Sequence, residues 1–180
     1  MDTTAQIVVR PAIVDDAAAI QEVFYQGWLA AYPNAEHGIT VGDIEDRFKD
    51  RLSEETLCER RKQIANPAEG TTTLVAKKGD MTIGVCRVGK HADGNHLYAL
   101  YVLPEYHRQG VGTALWNIAQ RYLDPTKHTL VEVATYNVNA VKFYEKLGFV
   151  DTGRRMRDPR FTMKSGAIIP EMEMHRTATP

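Results

Sequence analysis

The chain has 180 residues, enough for one domain and for burying roughly two-thirds of the surface that the unfolded chain exposes. Hydrophobic residues make up 43% and charged residues 25%, with 13 glycines and 8 prolines, which excludes a disordered or collagen-like chain. With 22 basic side chains against 23 acidic ones the formal charge is −1, so no global positive field draws the protein to nucleic acid or to anionic lipid.

Ile7-Val8-Val9 predicts a short strand stopped by Pro11, and Asp15-Asp16 supplies capping carboxylates for a helix running to about Ala31, with Ile20, Val23, Phe24 and Trp28 on its apolar side. Pro33-Asn34 and His37-Gly38 mark a loop. Thr40, with Asp43 three residues on, resembles a capping arrangement for one charged, mostly solvated helical stretch through Arg61. Thr71 to Ala76 and Met81 to Val88 are β-rich runs around the turn Lys78-Gly79-Asp80, predicting two antiparallel strands. His96 to Val102 is a further strand ended by Pro104. Gly110 opens a helix whose Val111, Ala114, Leu115, Ile118 and Tyr122 follow helical spacing, and Pro125 closes it. Leu130 to Ala134 is another strand and Val138 to Leu147 another short helix capped by Gly148. Phe149-Val150 starts the next strand, and the last candidate lies between Ile168 and His175.

No repeat or linker divides this order, so residues 1–180 are expected to form a single domain, an α/β fold with a mixed sheet. The two cysteines, Cys58 and Cys86, show no Cys-x-x-Cys spacing, which argues against a disulfide framework or zinc knuckle and fits a reducing cytoplasm. The six histidines lack ligand spacing, so no metal is expected. The start Met1-Asp2-Thr3 has no basic or apolar targeting pattern, and no run approaches the roughly 18 apolar residues of a membrane span; a cytoplasmic protein is expected.

The stretch from Leu97 to Leu115 is the most informative. It delivers a strand, a polar turn and a glycine-rich helix start in succession. The first N–H groups of a helix lack internal partners and carry partial positive charge, so a diphosphate is able to settle at Gly110 and Gly112 with no Cβ in the way, with Arg108 and Thr113 as side-chain donors. Glycines at a helix start also serve simply to make a tight turn. A dinucleotide-type loop would need a glycine where Leu115 stands, and a Walker loop would need Gly-Lys-Ser/Thr; neither is present.

His107-Arg108-Gln109-Gly110-Val111-Gly112 resembles the Gln/Arg-x-x-Gly-x-Gly/Ala loop of the GNAT superfamily of acyl-CoA-dependent N-acetyltransferases. His107 takes the usual Gln/Arg place and is still able to donate a hydrogen bond. Asn137 through Phe149 is similar to the family's Asn-x-x-Ala-x-x-Phe-Tyr-x-x-x-Gly-Phe segment, and the start from Val9 to Ile20 resembles its first strand and helix. The resemblance implies a mostly antiparallel mixed sheet flanked by helices on both faces. It also implies acetyl-CoA as co-substrate, bound by Arg108, Gln109, Gly110, Val111, Gly112 and Thr113, by main-chain groups of Leu100, Tyr101 and Val102 where the strand leaves its neighbour, and by Asn137 and Tyr144.

Acetyl transfer to an amine needs a neutral amine, donors to the oxyanion and a proton for the leaving thiolate. Tyr144 occupies the place where similar proteins carry that acid; by spacing alone it equally suits packing with Ala140, Val141 and Leu147. A strand that stays fully paired would leave no donors at Leu100, Tyr101 and Val102, and Asn137 also suits a helix N-cap. For the base, Glu132 interrupts an apolar strand and matches the site of a glutamate base in some similar proteins. His96 is its rival, and a solvent-facing polar side chain is the plain reading of either. Tyr25, Trp28, Tyr32 and the loop from Pro33 to Thr40 are candidate walls for the acceptor, with core packing as the alternative. The acids Glu36, Asp43, Glu45 and Asp46 would suit a cationic amine such as a polyamine or equally make a solvated face, and Arg154, Arg155, Arg157 and Arg160 read as a solvated basic loop.

The expectation is direct acetyl transfer to a primary amine, of a small molecule or alternatively of a protein N-terminus or lysine, with no nucleic-acid or membrane partner. A non-catalytic acyl-CoA-binding module is the rival from a different class, and a homodimer is a family-based expectation.

Overall fold

The computed structural model describes residues 6–178. Seven strands, β1 (Ile7–Pro11), β2 (Thr71–Lys78), β3 (Met81–Lys90), β4 (Asn95–Val102), β5 (Thr129–Ala134), β6 (Val150–Met156) and β7 (Glu171–Arg176), form one sheet in the order β1-β2-β3-β4-β5-β7-β6. Five α-helices accompany it: α1 (Ala17–Ala31), α2 (Val41–Arg47), α3 (Glu54–Ala65), α4 (Val111–Ala119) and α5 (Val138–Lys146). Every strand pair is antiparallel except β4 with β5. The expected α/β architecture, a mixed and mostly antiparallel sheet covered on both faces, is what forms.

The continuous apolar run Leu74-Val75-Ala76 is explained by this two-sided cover. Leu74 and Ala76 pack on the face shared with Val111, Leu115 and Trp116 of α4 and with Tyr144 of α5. Val75 points the other way and, with Val85, meets Ile20 and Val23 of α1. Each such fully buried aliphatic side chain contributes roughly 1.5–3 kcal/mol relative to leaving it in water.

Pro11 ends β1 as expected, in register with Leu74; β1 is an edge strand and needs no donor there. Two local expectations are corrected. The Asp16 carboxylate does not cap α1. It accepts from Arg10 at 2.7 and 3.0 Å and from the Ile13 amide at 2.9 Å, tying the strand end to the helix start. The charged stretch after Thr40 is two helices rather than one. It breaks at Phe48, whose ring turns in to meet Trp28 at 5.4 Å and Tyr25 at 5.8 Å, and restarts at Ser53, which caps α3 through the Thr56 amide.

At the start of α2 the capping arrangement is present and extended. Asp43 accepts from the Thr40 amide and hydroxyl, both at 2.8 Å, while Thr40 Oγ1 accepts from the Asp43 amide at 3.1 Å. The same carboxylate accepts from the Ser165 amide at 2.8 Å and the Ser165 hydroxyl at 3.0 Å, joining residues 122 positions apart. Burial acts to raise its pKa, but the hydrogen bonds from Thr40 and Ser165 win and hold it at about 2. Because the folded value lies below the unfolded one, the stabilisation is present above about pH 4 and lost as the pH falls through about 2. Asp43→Asn is expected to lower stability by about 1 kcal/mol near neutrality, measured by denaturant unfolding, with the two proteins converging in strong acid.

Candidate active site

β4 and β5 run together for only three residue pairs: Asn95 with Thr129, His96 with Leu130 and Leu97 with Val131. Beyond Leu97, β4 stays with β3 while β5 stays with β7, so an opening forms in the middle of the sheet. A register shift opposite Arg87 and Val88 leaves Tyr98 as an extra residue on β4 where the strands part. Leu103 N donates to Ile83 O at 2.9 Å. The alternation of an antiparallel ladder therefore turns the Leu100 and Val102 amides into the opening and the Tyr101 amide toward β3. Of the three expected main-chain positions, two offer amides to the gap, and Tyr101 presents its ring to the α1 side instead.

The turn after β4 leads to the mouth of α4. His107 Nε2 donates to Val102 O at 2.8 Å, bracing the turn rather than reaching outward. The Gln109 side chain likewise folds back, donating to Glu105 O at 2.7 Å. Arg108 at φ +59° and Gly110 at φ +82° give the loop left-handed corners. The first backbone bond of α4 is Ala114 N to Gly110 O, and among the described residues no acceptor meets the amides of residues 108–113. Gly112 has a different reason to be glycine from the one expected. A Cβ there would stand 3.1 Å from Phe143 Cζ, so it lets α5 approach α4, whereas a Cβ on Gly110 would meet nothing.

Asn137 caps α5, its Oδ1 accepting from the Ala140 amide at 3.1 Å. Two turns further, Tyr144 is 7% exposed, with ring centroids 5.5 Å from Phe143 and 5.7 Å from Phe149. The Tyr144 ring is core, and its hydroxyl has no hydrogen-bond partner among the described residues while lying near Tyr101, Cys86 and Tyr32. Burial, then the Tyr101 and Cys86 charges, push the phenol far above its ordinary value, so it stays protonated across the neutral range.

Tyr32, at the end of α1, spans the opening from the other face. Its hydroxyl lies 2.8 Å from that of Tyr101 on β4, and its carbonyl accepts from the Tyr136 hydroxyl at 2.7 Å, just beyond β5. Around it Trp28, Phe48 and Phe161 form an aromatic wall, with the Arg47 guanidinium 4.8 Å above Trp28 and 5.3 Å above Phe161.

The two expected bases are placed differently. His96 sits at the closed end of β4, stacked on Tyr98 at 5.6 Å and edge-on to His91 at 5.7 Å. That is five residues, about 16 Å of strand, from Tyr101. Glu132 is exposed, on the face of β5 opposite the core residues Val131 and Val133 and in register with Glu173. Glu171, the first residue of β7, was not singled out by the sequence. It is 6% exposed and its Oε2 is buried with no hydrogen-bond partner. Burial, with the nearby charges of Glu132 and Asp158 and against the pull of Arg160, raises its pKa to about 7.

The acidic and basic patches are mostly engaged. Asp43 belongs to the α2 cap, and Asp46 pairs with Lys49 at 3.4 Å and Lys164 at 3.6 Å. Arg154 pairs with Glu173 at 3.0 Å, Arg155 with Asp151 at 2.7 Å and Arg160 with Asp158 at 2.5 Å, while Arg157 donates to Ile168 O at 2.9 Å.

The family description "Acetyltransferase (GNAT) domain" matches residues 29–163. The probable N-acetyltransferase of Mycobacterium tuberculosis is 32% identical over 118 residues, covering 62% of this chain and 64% of that protein's length. Among solved structures, the PaiA N-acetyltransferase of Thermoplasma acidophilum in complex with coenzyme A superposes with a TM-score of 0.71 at 21% identity, over 96% of this chain and 99% of that one. The ribosomal-protein-S18-alanine N-acetyltransferase of Escherichia coli gives 0.66 at 18% identity, over 97% and 96%.

The two glycines of the loop should respond differently to alanine. Gly110→Ala is expected to cost about 1–2 kcal/mol through its left-handed backbone without moving α5. Gly112→Ala is expected to push Phe143 away and loosen α5 against α4, read as faster amide exchange across residues 138–146.

Proposed function

The chain belongs to the GNAT acetyltransferase family, and on that premise we propose that it is an N-acetyltransferase, moving the acetyl group of acetyl-CoA directly to a primary amine. The observation that carries the reading is the opening between β4 and β5, which has unpaired amides along one side and at the mouth of α4, and an unpartnered phenol at its core.

The diphosphate of acetyl-CoA lies on the amides of residues 108–113, where the dipole of α4 favours anions, with Arg108 and Thr113 exposed at the rim as further donors. The Leu100 and Val102 amides meet the pantetheine arm as a missing strand would, and the Asn137 side-chain amide, its oxygen already used as a cap, offers N–H donors beside it. A gap-facing amide of β4 steadies the thioester oxygen as negative charge develops on it. Tyr144, protonated at neutral pH, hands its proton to the leaving thiolate. The buried Cys86 thiol, pushed up by burial, is no nucleophile, which favours direct transfer over an acyl-enzyme.

The acceptor enters from the α1 face, between the aromatic wall and the carboxylates of Glu132 and Glu171. An aromatic surface beside carboxylates suits an alkylammonium, and we assign a small-molecule amine, a polyamine or related metabolite, to this side. Glu132 lies on that face, whereas His96 is held at the closed end of the strand. Both cysteines are unpaired and no described helix is long and apolar enough to cross a membrane; a single catalytic domain working in the cytoplasm is the setting proposed.

Thiol release from acetyl-CoA across polyamines, amino acids, aminoglycosides and peptides tests the activity. Turnover of a small amine is expected; turnover of peptides alone would move the assignment to a protein acetyltransferase, and silence with tight coenzyme A binding would leave a binding module. Tyr144→Phe is expected to lower kcat at least tenfold while the calorimetric affinity for acetyl-CoA stays within about twofold.

A further inference from the structure

We propose that Glu171, rather than Glu132 or His96, takes the proton from the acceptor amine, and that Glu132 acts on Glu171 through its charge without touching the reacting atoms. This rests on the acetyltransferase reading above and adds to it a residue on a strand that carries none of the motif positions.

Three observations place the carboxyl group. First, Glu171 Oε2 is buried without a hydrogen-bond partner, and an orphaned acceptor in the interior costs free energy unless something else fills the vacancy in its bonding. An ammonium or amine N–H does that. Second, Glu171 shares near neighbours with the proposed acid. The Tyr32 hydroxyl lies within electrostatic reach of both the Glu171 carboxylate and the Tyr144 phenol, and so does Tyr101. The acid and the acceptor of protons thus flank one pair of bonded hydroxyls. Third, Ala134 is the register partner of Glu171 and Glu132 that of Glu173, so Glu132 lies diagonally across from Glu171 on the same face, about 7 Å away. A negative charge that close disfavours the ionised form of Glu171.

The charged and titratable groups around Glu171 are Glu132 from β5, Asp158 and Arg160 from the turn after β6, Tyr136 from the turn just beyond β5, Tyr32 from the end of α1 and Tyr101 from β4. Glu132 and Asp158 raise its pKa and Arg160 lowers it, with burial the largest effect; the outcome, about 7, makes a carboxylate basic enough to accept a proton near neutral pH. In the reaction, Glu171 takes one proton from the ammonium. The freed lone pair forms the C–N bond, the C–S electron pair leaves on sulfur and collects the Tyr144 proton, and the second N–H proton returns through water to the Tyr144 oxygen. Glu171 then releases its proton to solvent.

The experiment is kcat/KM for thiol release from pH 5.5 to 9 in the wild type, Glu171→Gln and Glu132→Gln, with acetyl-CoA affinity measured by calorimetry on each. Glutamine copies the protonated form of Glu171, so the fold is kept, and a thermal melt confirms it. The expected result is a loss of at least a hundredfold in kcat and of the acidic limb in Glu171→Gln, at unchanged acetyl-CoA affinity. Glu132→Gln is expected to keep a tenth or more of the wild-type rate while its acidic limb moves to lower pH, because one like charge has gone. A Glu171→Gln variant with the wild-type limb, or a Glu132→Gln variant that loses the limb in its place, overturns the proposal and leaves the acetyltransferase reading standing. A wild type that binds coenzyme A but acetylates no amine overturns both.

Discussion

Everything at the centre of this protein follows from where β4 and β5 stop being neighbours. Three register pairs hold them together and then each strand keeps only its outer partner, β3 on one side and β7 on the other. Backbone amides of β4 that a continuous sheet would have consumed are left facing the gap, and buried backbone groups without partners are costly. The opening is therefore a site that asks to be filled by something able to replace a strand. The turn at Val102 is kept from collapsing into it by the His107 imidazole, which takes the carbonyl of the last residue of β4.

The gap also lets two otherwise separate faces of the sheet communicate. Tyr144 belongs to the core beneath α4 and α5, yet its phenol approaches Tyr101 and Tyr32, which belong with α1. In an unbroken sheet those groups would be insulated by a layer of paired backbone. Here a phenol rooted in one layer and a carboxyl group rooted in the other lie within electrostatic reach of one shared pair of hydroxyls. Both are buried, each by the packing of its own side, and the phenol stays protonated across the neutral range.

How far the sequence reaches depends on whether a feature is local. The helix mouth at Gly110, the Asn137 cap and the Thr40–Asp43 box are written within a few residues and were legible. The break between α2 and α3 was not, since Phe48 leaves the helix to reach Trp28, a residue twenty positions away. The reason for Gly112 was hidden in the same way, because Phe143 comes from a different helix. Glu171 is the sharpest case. Its alternation with Met172 suggests only an ordinary half-buried strand, and its burial near the Glu132 charge arises because β7 inserts between β5 and β6, out of chain order. His96 and Glu132 looked alike as polar residues in apolar strands; only the position of the parting separates the closed end from the open one.

Tyr32 gives this architecture a property of its own. One residue at the end of a helix touches β4 on one side of the parting and the turn just beyond β5 on the other, through its hydroxyl to Tyr101 and through its carbonyl to the Tyr136 hydroxyl. It works as a spacer bar between the two sides of the parting. The entropy of ordering those two chain ends is settled when the chain folds, which is the kind of cost that preorganisation removes from a later binding step.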